Sequence, residues 1–182
     1  MRLFLIAAAA FMALAAQGAC AEAQAASLPP PLEPASQGRL QCFLPDAGAK
    51  TCQSLASYAP RPDGDIDNTV VILIAKDPAV VMTTHSVVKV KDDQVCGVMR
   101  RDDIEGASFT VAGQPAAPDQ ADHFRDSLRQ ALANMIGRRI CTAYLPVSDG
   151  LIAKATVEGL TQPAPDQKVI WVSPDDGYSV SP

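Results

Sequence analysis

The chain has 182 residues, with 15 Lys plus Arg against 20 Asp plus Glu and a formal net charge of −5. That length suits one domain, and the acidic balance argues against a nucleic-acid binder, which needs a concentrated positive face. The apolar content of 48% is inflated by the N-terminus; without the first 25 residues it falls to roughly 43%, near the usual range for a soluble domain.

Arg2 precedes an uninterrupted apolar run over residues 3–16. The run is too short for a membrane-spanning helix, which needs about 20 residues. It fits the apolar stretch of a signal peptide, and small residues follow in Ala-x-Ala frames between Ala19 and Ala25. Residues 1–23 are therefore read as an export signal. Cys20 offers an alternative, because Gly18 and Ala19 suit a lipid-attachment box. Gln17, however, stands where such a box carries an aliphatic residue.

Residues 24–38 hold four prolines between Pro29 and Pro34 and read as a flexible linker or tail. The remainder, 39–182, reads as one domain. Residues 39–44 suit a short strand, and residues 51–58 suit one or two helical turns capped by Thr51. The β-branched run 69–75 reads as a buried strand, and Asp77-Pro78 as the turn after it. Residues 79–91 alternate, with Val80, Met82, Val88 and Val90 on the face better suited to a core. Asp92-Asp93 marks a hairpin turn into a strand over 94–100, and residues 108–111 add another short strand.

The clearest helix spans 118–136, with Phe124, Leu128, Ala131, Leu132, Met135 and Ile136 at helical spacing. Gly137 stops it. Residues 140–145 and 151–158 form a hairpin, and 168–173 a last strand. Connections are short, so pairing is antiparallel. The expected class is α+β: a small antiparallel sheet with one main amphipathic helix packed on one face, stapled by two disulfides.

Setting Cys20 aside leaves Cys42, Cys52, Cys96 and Cys141. An even number in an exported chain suggests two disulfides. Of three connectivities, Cys42–Cys52 and Cys96–Cys141 are preferred, since the first closes a loop rich in turn residues and the second ties the central strands to the strand after the helix. Chain entropy alone assigns them about 2.7 and about 4 kcal/mol as upper figures. There is no Cys-x-x-Cys pair, so zinc and thioredoxin-like readings lack their spacing.

Asp63, Asp65 and Asp67 alternate like the acids of a calcium loop. Asn68 replaces the turn glycine, and Ile74 stands where a bidentate glutamate belongs, so the plainer reading is a polar turn. His85 neighbours Ser86 on a strand, which points the two to opposite faces. His123 continues a polar helix strip with Asp119, Ser127, Gln130 and Asn134. Asp102, Asp103 and Glu105 form an acidic cluster read as a solvated loop. Trp171 with Tyr178 suits stacking on a sugar or peptide, but Trp171 lies in an apolar strand and suits core packing better.

No catalytic motif is recognisable, no metal-ligand set is complete and no cofactor is implied. The expectation is a periplasmic or secreted binding or accessory domain, its partner an unknown protein or envelope component. Two alternatives stand beside it: an envelope protein anchored by lipid on Cys20, and a small periplasmic hydrolase using His85 or His123. No transmembrane span is expected in the mature chain.

Overall fold

The computed structural model describes residues 27–161 and 166–182. The expected export signal and Cys20 lie outside the described residues. In chain order the strands are β1 (Leu40–Phe43), β2 (Thr51–Cys52), β3 (Ser54–Pro60), β4 (Ile66–Lys76), β5 (Ala79–Lys91), β6 (Gln94–Val98), β7 (Ser108–Val111) and β8 (Gln114–Pro115). They continue as β9 (Arg139–Val147), β10 (Gly150–Val157), β11 (Leu160–Thr161), β12 (Gln167–Val172) and β13 (Ser179–Val180). Two α-helices, α1 (Arg101–Glu105) and α2 (Pro118–Ala131), interrupt the series between β6 and β9.

Eight of these strands close into an antiparallel barrel. Each barrel strand pairs with the next one in the chain, in the series β1, β3, β4, β5, β6, β9, β10, β12. The last then pairs with the first, Leu40 opposite Val172 and Phe43 opposite Val169. The small sheet with a helix packed on one face is thereby overturned. The expected helix does form, but it ends at Ala131 and has no fully buried residue. It therefore cannot be the element on which a sheet builds its core. After the helix the chain turns away to the end of β6, where Gly137 N donates to Met99 O at 2.8 Å and Met99 N to Arg138 O at 3.1 Å.

Residues 51–58, expected as helical turns, are extended. Their burial alternates, with Cys52, Ser54 and Ala56 buried and Thr51, Gln53 and Leu55 only half so. A two-residue period is the signature of a strand with one face inward. Gln53 also uses its side chain as strand cement, its Nε2 donating to Leu73 O.

The Pro-rich segment read as a flexible linker is, over its described residues, part of the core. Glu33–Gln37 winds into a 3-10 turn ended by Gly38, whose φ of 75° is in the left-handed region that glycine adopts freely. Leu28, Leu32 and Ala35 are buried and pack with Ile66, Val88 and Val95, and Tyr58, Val90, Tyr144 and Trp171 surround them. The segment plugs one end of the barrel. Proline kept it out of the sheet, as expected, but it did not keep three apolar side chains out of the interior.

A second, smaller cluster lies on the outer wall. Cys42, Cys52 and Val172 are buried there under Leu40, Leu55, Ile170 and Tyr178. The C-terminal segment holds this cluster down, with β13 pairing parallel to β2. The structure joins Cys42 to Cys52 and Cys96 to Cys141. The second bridge links directly opposite residues of β6 and β9, so it clamps the wall where the helical insertion leaves and re-enters it. At the β9–β10 turn, Gly150 has φ of 144°, and a Cβ there would stand 2.6 Å from Val169 O. Only glycine lets β10 and β12 meet at that point.

The plug yields a direct test. Leu32 is fully buried, so Leu32→Ala is expected to cost about 2–5 kcal/mol of stability, as other large-to-small core truncations do. Urea denaturation followed by circular dichroism measures it; a midpoint unchanged from the parent would return the segment to a loose tail.

Candidate functional site

Alternation along eight strands sends every second side chain inward. In β5 these are Met82, Thr84, Ser86 and Val88; in β4, Asn68 and Val70; in β3, Ser54, Ala56 and Tyr58. Together with Thr142 and Tyr144 of β9 they enclose a cavity of about 350 Å³ inside the barrel. That lies within the range of about 300–1,000 Å³ typical of small-molecule sites.

The cavity has a floor and a roof. Tyr58, Tyr144, Val88 and Val95 line it and also pack on the plug. At the other end Ile104 of α1 and Leu128 and Leu132 face it. The roof is held by contacts outside the lumen. Phe124 of α2 lies 5.3 Å from Phe109 of β7, centroid to centroid, and Arg125 stacks on the same Phe109 ring at 5.8 Å. Arg125 Nη2 donates to Ala107 O at 3.0 Å, and Arg129 pairs with Glu105 at 3.4 Å. Thr84 ties α1 to the wall, its Oγ1 donating to Asp103 O at 2.8 Å.

The floor is polar. Tyr58 OH donates to Gln41 Oε1 at 2.7 Å. Gln41 is fully buried on the inward row of β1 behind Tyr58 and Tyr144, its Nε2 turned to Tyr144 outside strict hydrogen-bonding geometry. Higher on the wall, Asn68 Nδ2 donates to Ser57 O at 3.1 Å while its Oδ1 accepts from Ser86 Oγ at 3.4 Å. Burial pushes the Tyr58 hydroxyl well above its ordinary range, and its neighbour Tyr144 pushes it further. Burial likewise raises Tyr144, while hydrogen bonds from Tyr58 and Gln41 pull it partly back. Both phenols are therefore neutral donors at physiological pH.

The residues singled out from the sequence lie elsewhere. His85 is exposed on the outer face of β5, its Nδ1 2.9 Å from Thr69 Oγ1. His123 is exposed on α2, its ring 6.2 Å from that of Phe124. The two histidines are not brought together with a nucleophile at the cavity. Asp102, Asp103 and Glu105, expected in a loop, form most of α1. Asp103 Oδ2 accepts from Arg100 N at 3.0 Å as a helix cap, and Glu105 holds Arg129. Of the three, Asp103 borders the cavity.

The Asp63–Asp67 turn is laced to cations instead of gathering its acids: Arg61 meets Asp63 at 3.4 Å and Asp67 at 2.8 Å, and Lys89 meets Asp65 at 2.9 Å. Among the described residues, no group of three or more His, Cys, Asp or Glu is placed to hold a metal ion. Trp171 packs on the plug inside the barrel and Tyr178 on the disulfide cluster outside, so they share no stacking surface.

Sequence reasoning did not single out Gln41, Tyr58 or Tyr144, and met Asn68 only as a member of the calcium-like turn. The available signal was parity. Thr142 and Tyr144 alternate with Cys141 and Ala143, and Ser86 sits in register with Val88 on the face taken as core. Polar residues recurring on a core face mark a lined space better than a packed one. Comparison with known protein families, curated proteins and solved structures finds no match to this chain.

The floor predicts a pH response. An acid whose folded pKa lies above its unfolded value stabilises the fold at every pH below the unfolded value. For Tyr58 and Tyr144 that unfolded value is 10.0. Their contribution is complete below it and is lost as pH climbs toward the folded values. Phenolate absorbance should therefore show these two of the three tyrosines ionising late, together with a stability decline that begins above pH 10. Ionisation of both at the unfolded value in the native protein would contradict a buried floor.

Proposed function

We propose that this protein is an exported carrier or scavenger that binds a small amphipathic molecule inside its barrel. The observation that carries the reading is the lumen itself, a space plugged at one end and roofed at the other by a helix with no fully buried residue. An eight-strand barrel is wide enough for side chains to fill or for one small ligand to occupy. Here small wall residues such as Ala56, Ser54, Ser86 and Gly97 leave it unfilled.

Entry at the α2 end is favoured over entry at the plug. The plug buries Leu28, Leu32 and Ala35, whereas α2 buries no residue fully and is held by Phe124 and Arg125 on the Phe109 ring, Arg125 on Ala107 O and one exposed ion pair to Glu105. Exposed ion pairs contribute little each, about 0–1 kcal/mol. Swinging α2 aside therefore disturbs far less buried surface.

The two disulfides suit an oxidising, exported compartment. Among the described residues, no helix is long and apolar enough to cross a membrane. Periplasmic or secreted placement through a cleaved signal over residues 1–23 belongs to the proposal.

Two measurements test this reading. The uncharged, environment-sensitive dye Nile red is expected to bind the protein saturably, and Val70→Trp, which fills the lumen, to weaken it at least about tenfold, or about 1.4 kcal/mol. Far-ultraviolet circular dichroism should confirm that the variant keeps its barrel. Undiminished dye binding by a folded Val70→Trp protein would rule out the lumen. Separately, intact mass of protein recovered from the envelope or medium should show a start between Glu22 and Ala26, with four alkyl groups gained only after reduction. Free thiols before reduction would argue against an oxidising compartment.

A further inference from the structure

We infer that the cleft over the Cys96–Cys141 disulfide is a thiol-exchange site, where a small thiol opens this bond and releases the anchor of the roof. The inference concerns the outer wall and stands apart from lumenal binding. Three observations lead there.

The first is access. The two disulfides are buried unequally. Cys42 and Cys52 are 0% and 1% exposed, under Leu40, Leu55, Ile170 and Tyr178. Cys96 and Cys141 are only half-buried and line an outer cleft of about 260 Å³. Exchange needs a thiolate to reach one of the two sulfurs, so the accessible bond of a pair is the labile one.

The second is charge. Lys91 and Arg139 are exposed and line the cleft, with Asp92 as its one acid. Lys89 stands opposite Cys96 on β5, its ammonium 2.9 Å from Asp65. Glu158 lies nearby, its Oε1 accepting from Arg139 N at 2.5 Å. Two cations against one carboxylate in the lining favour the thiolate form, both of the attacking thiol and of the cysteine that leaves.

The third is position. Cys96 and Cys141 are directly opposite in the β6–β9 ladder. Between them in the chain run α1, β7, β8 and α2, the whole roof. Just beyond the bond, the ends of this insertion are joined by the Met99–Arg138 and Gly137–Met99 backbone hydrogen bonds. Opening the disulfide leaves the strand ladder in place, so the barrel persists, but removes the covalent clamp at the base of the roof.

The chemistry balances with a small thiol as reductant. Its thiolate attacks one sulfur, the S–S bond breaks, and the electron pair leaves on the other cysteine. A second thiolate then attacks the mixed disulfide and frees the first cysteine. Two small thiols are oxidised to their disulfide, and their two protons end on Cys96 and Cys141. The bond is intact at rest and opens only where such a thiol is present.

The test treats the folded protein with glutathione, traps thiols with iodoacetamide and maps them by peptide mass. Two alkyl groups are expected, on Cys96 and Cys141, gained at least about tenfold faster than any on Cys42 or Cys52 because only the first bond is accessible. Thr156 lines the cleft opposite Cys141, so Thr156→Phe should cover the bond and slow its reduction at least about tenfold. Lys91→Gln combined with Arg139→Gln should slow it by a few-fold. Amide hydrogen exchange should then quicken over residues 101–131 in the reduced protein and stay unchanged over β3. No labelling of the folded protein, or labelling of Cys42 and Cys52 as fast as of Cys96 and Cys141, would overturn the exchange site. Selective reduction with unchanged exchange over 101–131 would overturn the anchor of the roof.

Discussion

The pairing of β12 with β1 is the constraint on which the rest depends. Before it forms, the chain is an open meander with two unpaired edges and a two-sided sheet. Once Gln41 lies opposite Trp171 and Phe43 opposite Val169, inside and outside are defined for every other strand. Closure removes the barrel edges that would otherwise template pairing with another chain. It also fixes which residues share the lumen, since a slip of one position would turn Tyr58, Asn68 and Ser86 outward. The disulfides secure this arrangement from without. One ties the β1 wall to the segment entering β3, and the other holds β6 against β9 across the helical insertion.

Much of the chain was legible residue by residue. The β4–β5 hairpin, the Asp92-Asp93 turn, the β9–β10 hairpin and β12 follow from alternation and turn chemistry. Asp92 and Asp93 both adopt positive φ, 50° and 57°, as a tight hairpin between right-twisted strands requires. What escaped was closure. It rests on a contact between residues near 40 and residues near 170, and no local pattern encodes that separation. The misreading of residues 51–58 removed one strand from the count and made an open sheet look sufficient.

The helix and the plug misled for opposite reasons. The amphipathicity of α2 is genuine, but its apolar face covers a cavity mouth and β7 rather than a close-packed core. Periodicity reports that a face is covered, not what covers it. In the plug, prolines dominate the composition while Leu28, Leu32 and Ala35 provide the packing. The site was hidden by the same averaging. Tyr144 and Thr142 read as ordinary strand residues, and Asn68 as part of a polar turn, until the barrel closes and places them around one space. Their polarity, a cost in a packed interior, is accommodated in a lined one.

Closure by β12 has a consequence in time. Every barrel contact up to β10 is between neighbours in the chain, but the seam joins the earliest wall strand to the latest. Topologies that depend on such distant partners fold slowly, because the ends must be brought together before the contact rewards them. The enclosed lumen therefore does not exist on a growing chain; it appears only after residues 167–172 have been made. A nascent chain of this protein stays an open sheet, its inner face unenclosed, until the last wall strand is available to close the seam.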